Sequence, residues 1–94
     1  MIDSYDVMKA LVTLAIEKTL LDTRKPAYDT VTNKLYKKFH CYISDCFEKP
    51  EYLKVVLKEL YGESYNEIIH SIQQELDEFV YKKRIKAFLL ILLQ

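Results

Sequence analysis

The sequence predicts an all-α fold: one domain, residues 1–94, built as a compact bundle of four or five helices. Three observations carry that prediction. Apolar residues recur at three- and four-residue spacing through most of the chain, which is helical rather than strand periodicity. One glycine and two prolines leave few turn-formers for an all-β design, whereas long runs rich in Leu, Lys and Glu favour helix. The 94 residues suit one core and leave no room for a second. Half the residues are hydrophobic, enough for a globular fold rather than a disordered chain.

The first helix is expected to start at Ser4, whose hydroxyl can cap the free N–H groups of the first turn. Val7, Met8, Leu11, Val12, Ala15 and Ile16 form its apolar face. It should end by Thr23, because the residue before Pro26 is pushed out of helical geometry. Pro26 then suits the first position of helix 2, where its missing N–H costs nothing. Tyr28, Val31, Leu35 and Phe39 make the stripe of helix 2, with Lys34, Lys37 and Lys38 on the solvated side. Residues His40 to Lys49 break the rhythm and form the one long connection, pinned to the core by Ile43 and Phe47.

Pro50 repeats the helix-start signal, and Leu53, Val56, Leu57 and Leu60 give helix 3 its face. Gly62, the one glycine, is expected to close that helix in a left-handed conformation. Ser64-Tyr65-Asn66-Glu67 reads as a capping box opening helix 4, which carries Ile68, Ile69, Ile72, Leu76, Phe79 and Val80. Glu75, Asp77 and Glu78 then meet Lys82, Lys83, Arg84 and Lys86, where the helix can continue or bend. The last segment, Ile85 to Leu93, is helical in composition but apolar on every side.

Fourteen basic and fourteen acidic residues cancel, and they balance in both halves of the chain. The overall positive field that drives non-specific nucleic-acid binding is therefore missing. Asp3 and Asp6 stand where a secretory leader carries basic residues, and Ala10 to Ile16 is periodic rather than continuously apolar. The run Ala87 to Leu93 is shorter than the roughly 20 apolar residues that cross a bilayer. A cytoplasmic setting with free thiols follows as the expectation.

Lys25-Pro26-Ala27-Tyr28, Ser44-Asp45-Cys46, Pro50-Glu51-Tyr52-Leu53 and Leu60-Tyr61-Gly62 belong to a stretch, Glu17 to Glu75, that resembles the small archaeal output domain called NitrOD, found in ammonia-oxidising archaea. The resemblance implies an archaeal cytosolic protein with a place in signal transduction. It implies no reaction and no site residues.

His40, Cys41 and Cys46 cluster in the connection, with His70 as a distant fourth candidate for a metal. Cys-x4-Cys lies at the wide end of zinc spacing, and no second Cys or His pair matches it. Buried small hydrophobes are the expected role of the cysteines, with no metal, cofactor or disulfide. One glycine cannot build a phosphate-binding loop, and Ser, His and Asp lack the setting of a nucleophile elbow. The chain is not expected to be an enzyme. Of the eight tyrosines, Tyr28, Tyr36, Tyr52, Tyr61 and Tyr65 fall near apolar stripes and are expected to fill the core edge.

Two functions remain. The leading one is a regulatory output module that binds another helical protein, above all its own copy. A helix packed on its own domain hides only one stripe, here Ile85, Phe88, Leu89 and Leu92. Leu90, Ile91 and Leu93 are left outward, so that Leu89, Leu90, Ile91 and Leu93 form the candidate interface of a two-fold dimer. The alternative is a helical nucleic-acid-binding domain using Lys34, Lys37 and Lys38 of helix 2 with Lys54 and Lys58 of helix 3.

Overall fold

The computed structural model of the protein describes residues 4–23 and 27–94. Among these residues five α-helices follow one another: α1 (Tyr5–Leu21), α2 (Ala27–Phe39), α3 (Pro50–Tyr61), α4 (Tyr65–Glu75) and α5 (Lys83–Leu93). Short 3₁₀ turns occupy Ile43–Phe47, Gly62–Ser64 and Asp77–Phe79. The all-α prediction holds. The Cα radius of gyration, 12.3 Å, is close to the ~12.4 Å expected of a compact chain of this length.

Each helix forms where its sequence directs. Ser4 is extended (φ −67°, ψ 145°) and its hydroxyl accepts the Val7 N–H at 3.1 Å, capping α1 as its sequence implies. The buried line of α1 runs Met8, Val12, Ala15, Ile16, Thr19 and Leu20. Val31 and Leu35 bury the inner side of α2. Its expected start at Pro26 lies outside the described residues. Pro50 does open α3, which buries Leu53, Val56 and Leu57. α1 lies along the Ile43–Phe47 turn and crosses α4, while α3 packs between α2 and α5. One core therefore joins all five helices, with Ile43, Cys46 and Phe47 of the connection inside it.

Two local expectations are corrected. Gly62 has a positive φ (48°), as its sequence implies, but its ψ of −109° places it outside the left-handed helical well, which lies near ψ +47°. It ends α3 and begins a 3₁₀ turn at once. That turn changes the role of Ser64, which has φ −82° and ψ −2° and makes no capping hydrogen bond. An N-cap hydroxyl reaches back to the first-turn N–H groups only from an extended backbone, so the capping box Ser64–Glu67 does not form. The left-handed residue that follows a helix is instead His40 (φ 55°) after α2, its N–H bonded to the Tyr36 carbonyl at 2.9 Å. Histidine is among the few non-glycine types enriched there.

The chain does bend after α4. Leu76, fully in the core, ends the helix. The Asp77–Phe79 turn leads to the separate helix α5. Tyr65 at the start of α4 donates its phenol proton to the Leu92 carbonyl at 2.6 Å, tying the far end of α5 to the start of α4. Tyr5 and Lys9 both donate to the Glu48 carboxylate, and the Arg84 guanidinium lies 5.2 Å above the Tyr5 ring. The start of α1, the connection and the start of α5 are thus held together. The Tyr5 and Lys9 hydrogen bonds keep the Glu48 carboxyl below its usual range.

Candidate interaction surfaces

α5 presents what its sequence implies. Ile85, Phe88, Leu89 and Leu92 are buried in the chain's own core. Leu90 and Leu93 are 51% and 52% exposed, three residues apart and so on one side of the helix. Ile91 is half-buried and lines a shallow groove of about 320 Å³ with Tyr5, Phe47, Pro50, Arg84 and Phe88. Leu89 must be removed from the interface set. It is 4% exposed, because it lies on the inner stripe beside Ile85 and Phe88. The outward set is Leu90 and Leu93, with Ile91 at its margin.

The five candidate lysines do not share one surface. α2 and α3 are adjacent, but the α3 residue facing α2 is acidic. Glu59 pairs with both Lys34, at 3.5 Å, and Lys38. The Lys38 hydrogen bond is the main reason its carboxyl stays below the usual range. Lys58 turns the other way and lies 5.2 Å over the Tyr65 ring of α4. Lys37 and Lys54 make no ion pair among the described residues. Sequence periodicity places lysines on the outer face of each helix but does not say which neighbouring carboxylate they meet.

The four metal candidates do not come together as one site among the described residues. Cys41 and Cys46 are free and buried, and the Cys46 thiol points to the Tyr42 carbonyl at 3.8 Å. Burial raises the affinity of both thiols for their protons, most strongly at Cys46, where Cys41 and then Asp45 add to it, as Asp45 does at Cys41. Thiolate, the form that binds metal or attacks a disulfide, is thereby disfavoured. His40 is exposed with its ring edge-on to Tyr36. His70 lies exposed on α4 beside Gln74, 3.2 Å away. Among the described residues no three His, Cys, Asp or Glu side chains gather as a metal site.

Two features escape the sequence reading. Tyr28, Tyr52 and Tyr61 are half-buried and Tyr65 is buried, as expected of core-edge residues, but Tyr36 is not. It is 50% exposed and stands 5.8 Å from the ring of Tyr42, itself 58% exposed. Beside them Phe39 and Tyr52 stack face to face, 4.1 Å apart and 2° from parallel. The available signal is the alternation Tyr36, Lys37, Lys38, His40, Tyr42 in a stretch without a carboxylate. The second feature is α1, which leaves Leu14 and Leu21 outward, seven residues apart and two turns along one side.

An open groove of about 760 Å³ lies between the end of α1, the end of α3 and α4, lined largely by hydroxyl, amide and carboxylate side chains. Within its wall Glu75 is held by Lys18 at 3.3 Å. Among the described residues, no helix is long and apolar enough to cross a membrane. Compared with known proteins, the chain matches no family model, and neither a curated protein nor a solved structure is significantly similar to it.

Proposed function

We propose that the protein is a regulatory interaction module that acts by pairing with a second copy of itself through the outer face of α5. The observation that carries this reading is the pair Leu90 and Leu93, half exposed on a helix whose other side is locked into the core. A two-fold arrangement brings four such leucines together, since each copy supplies the same patch. Covering their exposed halves is worth roughly 3–6 kcal/mol in total. That is no more than the low end of the ~4–15 kcal/mol cost of association. Ile91 and the flanking surface must supply the remainder, so the dimer is reversible and dissociates in the micromolar range or weaker. The likeness to archaeal output domains supports a place in signalling, where a weak, concentration-dependent contact is useful, and the reading assigns the chain no reaction.

Light scattering or sedimentation across a wide concentration range tests it. The expected result is a monomer–dimer equilibrium that the double substitution Leu90→Lys, Leu93→Lys shifts to monomer while helicity is kept. A chain that stays monomeric at millimolar concentration refutes it.

The alternative, nucleic-acid binding by the lysines of α2 and α3 together, is weakened by Glu59, which takes up Lys34 and Lys38.

A further inference from the structure

From Thr30 to Ser44 the chain has three lysines and one histidine and not a single carboxylate. The structure folds this stretch so that its exposed aromatic rings stand next to one another. Tyr36 and Tyr42 lie 5.8 Å apart with their planes 35° from each other. The His40 ring meets Tyr36 edge-on at 5.7 Å, turned there by the left-handed backbone that ends α2. Lys37 follows Tyr36 directly and makes no ion pair among the described residues. Glu59 is engaged with Lys34 and Lys38, and Asp45 accepts the Tyr42 N–H at 2.8 Å.

A tyrosine beside an apolar stripe can turn its ring inward and keep only its hydroxyl in water. Here the inner positions are taken by Val31, Leu35 and the Phe39–Tyr52 stack. The side chains that reach solvent here, Tyr36, Lys37, Lys38, His40 and Tyr42, are aromatic and cationic. Single-stranded nucleic acid has the complementary chemistry: flat bases that stack on ring faces, and phosphates that take lysine. A duplex fits less well, because its bases are already stacked on each other.

We infer that Tyr36, Lys37, His40 and Tyr42 form a binding surface for single-stranded nucleic acid, with bases stacked on the two tyrosines and Lys37 at the phosphates. This surface is separate from α5 and does not depend on pairing of two copies. With so few free cations, stacking carries more of the affinity than charge does. The salt dependence is correspondingly shallow, with a log–log slope near −1 for one or two phosphate contacts.

The test is an anisotropy titration with a labelled oligothymidylate of about ten nucleotides, within the site size of such surfaces. Its duplex and a polyglutamate peptide of similar length serve as competitors. Tyr36→Ala and Tyr42→Ala should each weaken binding about tenfold with helicity unchanged, as expected for loss of one stacked base. Tyr36→Phe and Tyr42→Phe should bind as the parent does, because stacking needs the ring and not the hydroxyl. The Leu90→Lys, Leu93→Lys variant should also bind normally. Equal competition by polyglutamate would overturn the inference in favour of an acidic protein partner. Unchanged affinity of the alanine variants, or no binding at millimolar protein, would also overturn it.

Discussion

Thr19 offers a quantitative test of how the core is built. It sits on the inner side of α1, 6% exposed, and its hydroxyl has no hydrogen-bond partner among the described residues. Three part-buried threonines behave differently. Thr13, Thr23 and Thr32 each donate to the carbonyl four residues earlier, at 2.7, 2.9 and 2.7 Å, the usual way a helical threonine satisfies itself. A buried hydroxyl without a partner costs about 1–3 kcal/mol on the scale of protein substitutions. Valine has the same shape and a similar helix propensity, and its extra methyl gains up to ~0.8 kcal/mol of burial. Thr19→Val should therefore stabilise the fold by about 1–2 kcal/mol, since packing gains are seldom realised in full. For a domain of this size that raises the melting temperature by roughly 4–15 °C.

Urea unfolding followed by circular dichroism measures the effect directly, with the midpoint rising and the slope unchanged. Thr13→Val is the control: its hydroxyl is satisfied and partly exposed, so the change should stay within about 0.5 kcal/mol. A Thr19→Val variant destabilised by about 1 kcal/mol would show that the hydroxyl is satisfied after all, and the reasoning from its burial would fail.

Gly62→Ala should destabilise by about 1–3 kcal/mol, the cost of forcing a side chain into so sparsely populated a backbone conformation. Nothing lies within 4 Å of the added Cβ, so the cost is one of backbone strain rather than collision, and a neutral Gly62→Ala in a melt would disprove it. Tyr65→Phe removes the hydroxyl bonded to the Leu92 carbonyl and should cost about 1–2 kcal/mol, read from the urea midpoint. Burial lifts the Tyr65 phenol from 10.0 to about 12, so the unfolded chain releases this proton first. Stability from this group is complete below pH 10 and is lost as pH rises toward 12, and Tyr65→Phe should flatten that decline. Cys41 and Cys46 should resist a thiol reagent in the native protein at neutral pH and react together once it is unfolded. Rapid native labelling, or unfolding on addition of a chelator, would contradict their placement as inert core residues.

The helices are legible in the sequence because burial has a period. Ile85, Phe88, Leu89 and Leu92 can all face one way only if the segment is helical, and the structure buries those four. Ser4 and Pro50 are legible for a related reason, since each acts through its own neighbours in sequence. The junctions are not. Ser64 has the residues of a capping box around it, yet Gly62 two positions earlier turns the chain so that Ser64 enters α4 already helical. Whether a local signal is used depends on the direction from which the backbone arrives, and the Gly62–Ser64 turn is set by how α3 and α4 pack.

The surfaces are less legible still, because a surface is made by neighbours distant in sequence. Glu59 is 21 residues from Lys38, yet it takes up two of the lysines of the α2 face. Proximity to Leu35 and Phe39 assigns Tyr36 to the core edge. The structure instead covers Phe39 with the Tyr52 ring, which arrives from α3, and leaves Tyr36 half exposed beside Tyr42 of the connection. No period within α2 announces this arrangement, because the ring that covers Phe39 comes from α3 and the ring that meets Tyr36 comes from the connection, so the surface chemistry of α2 is decided by residues outside it.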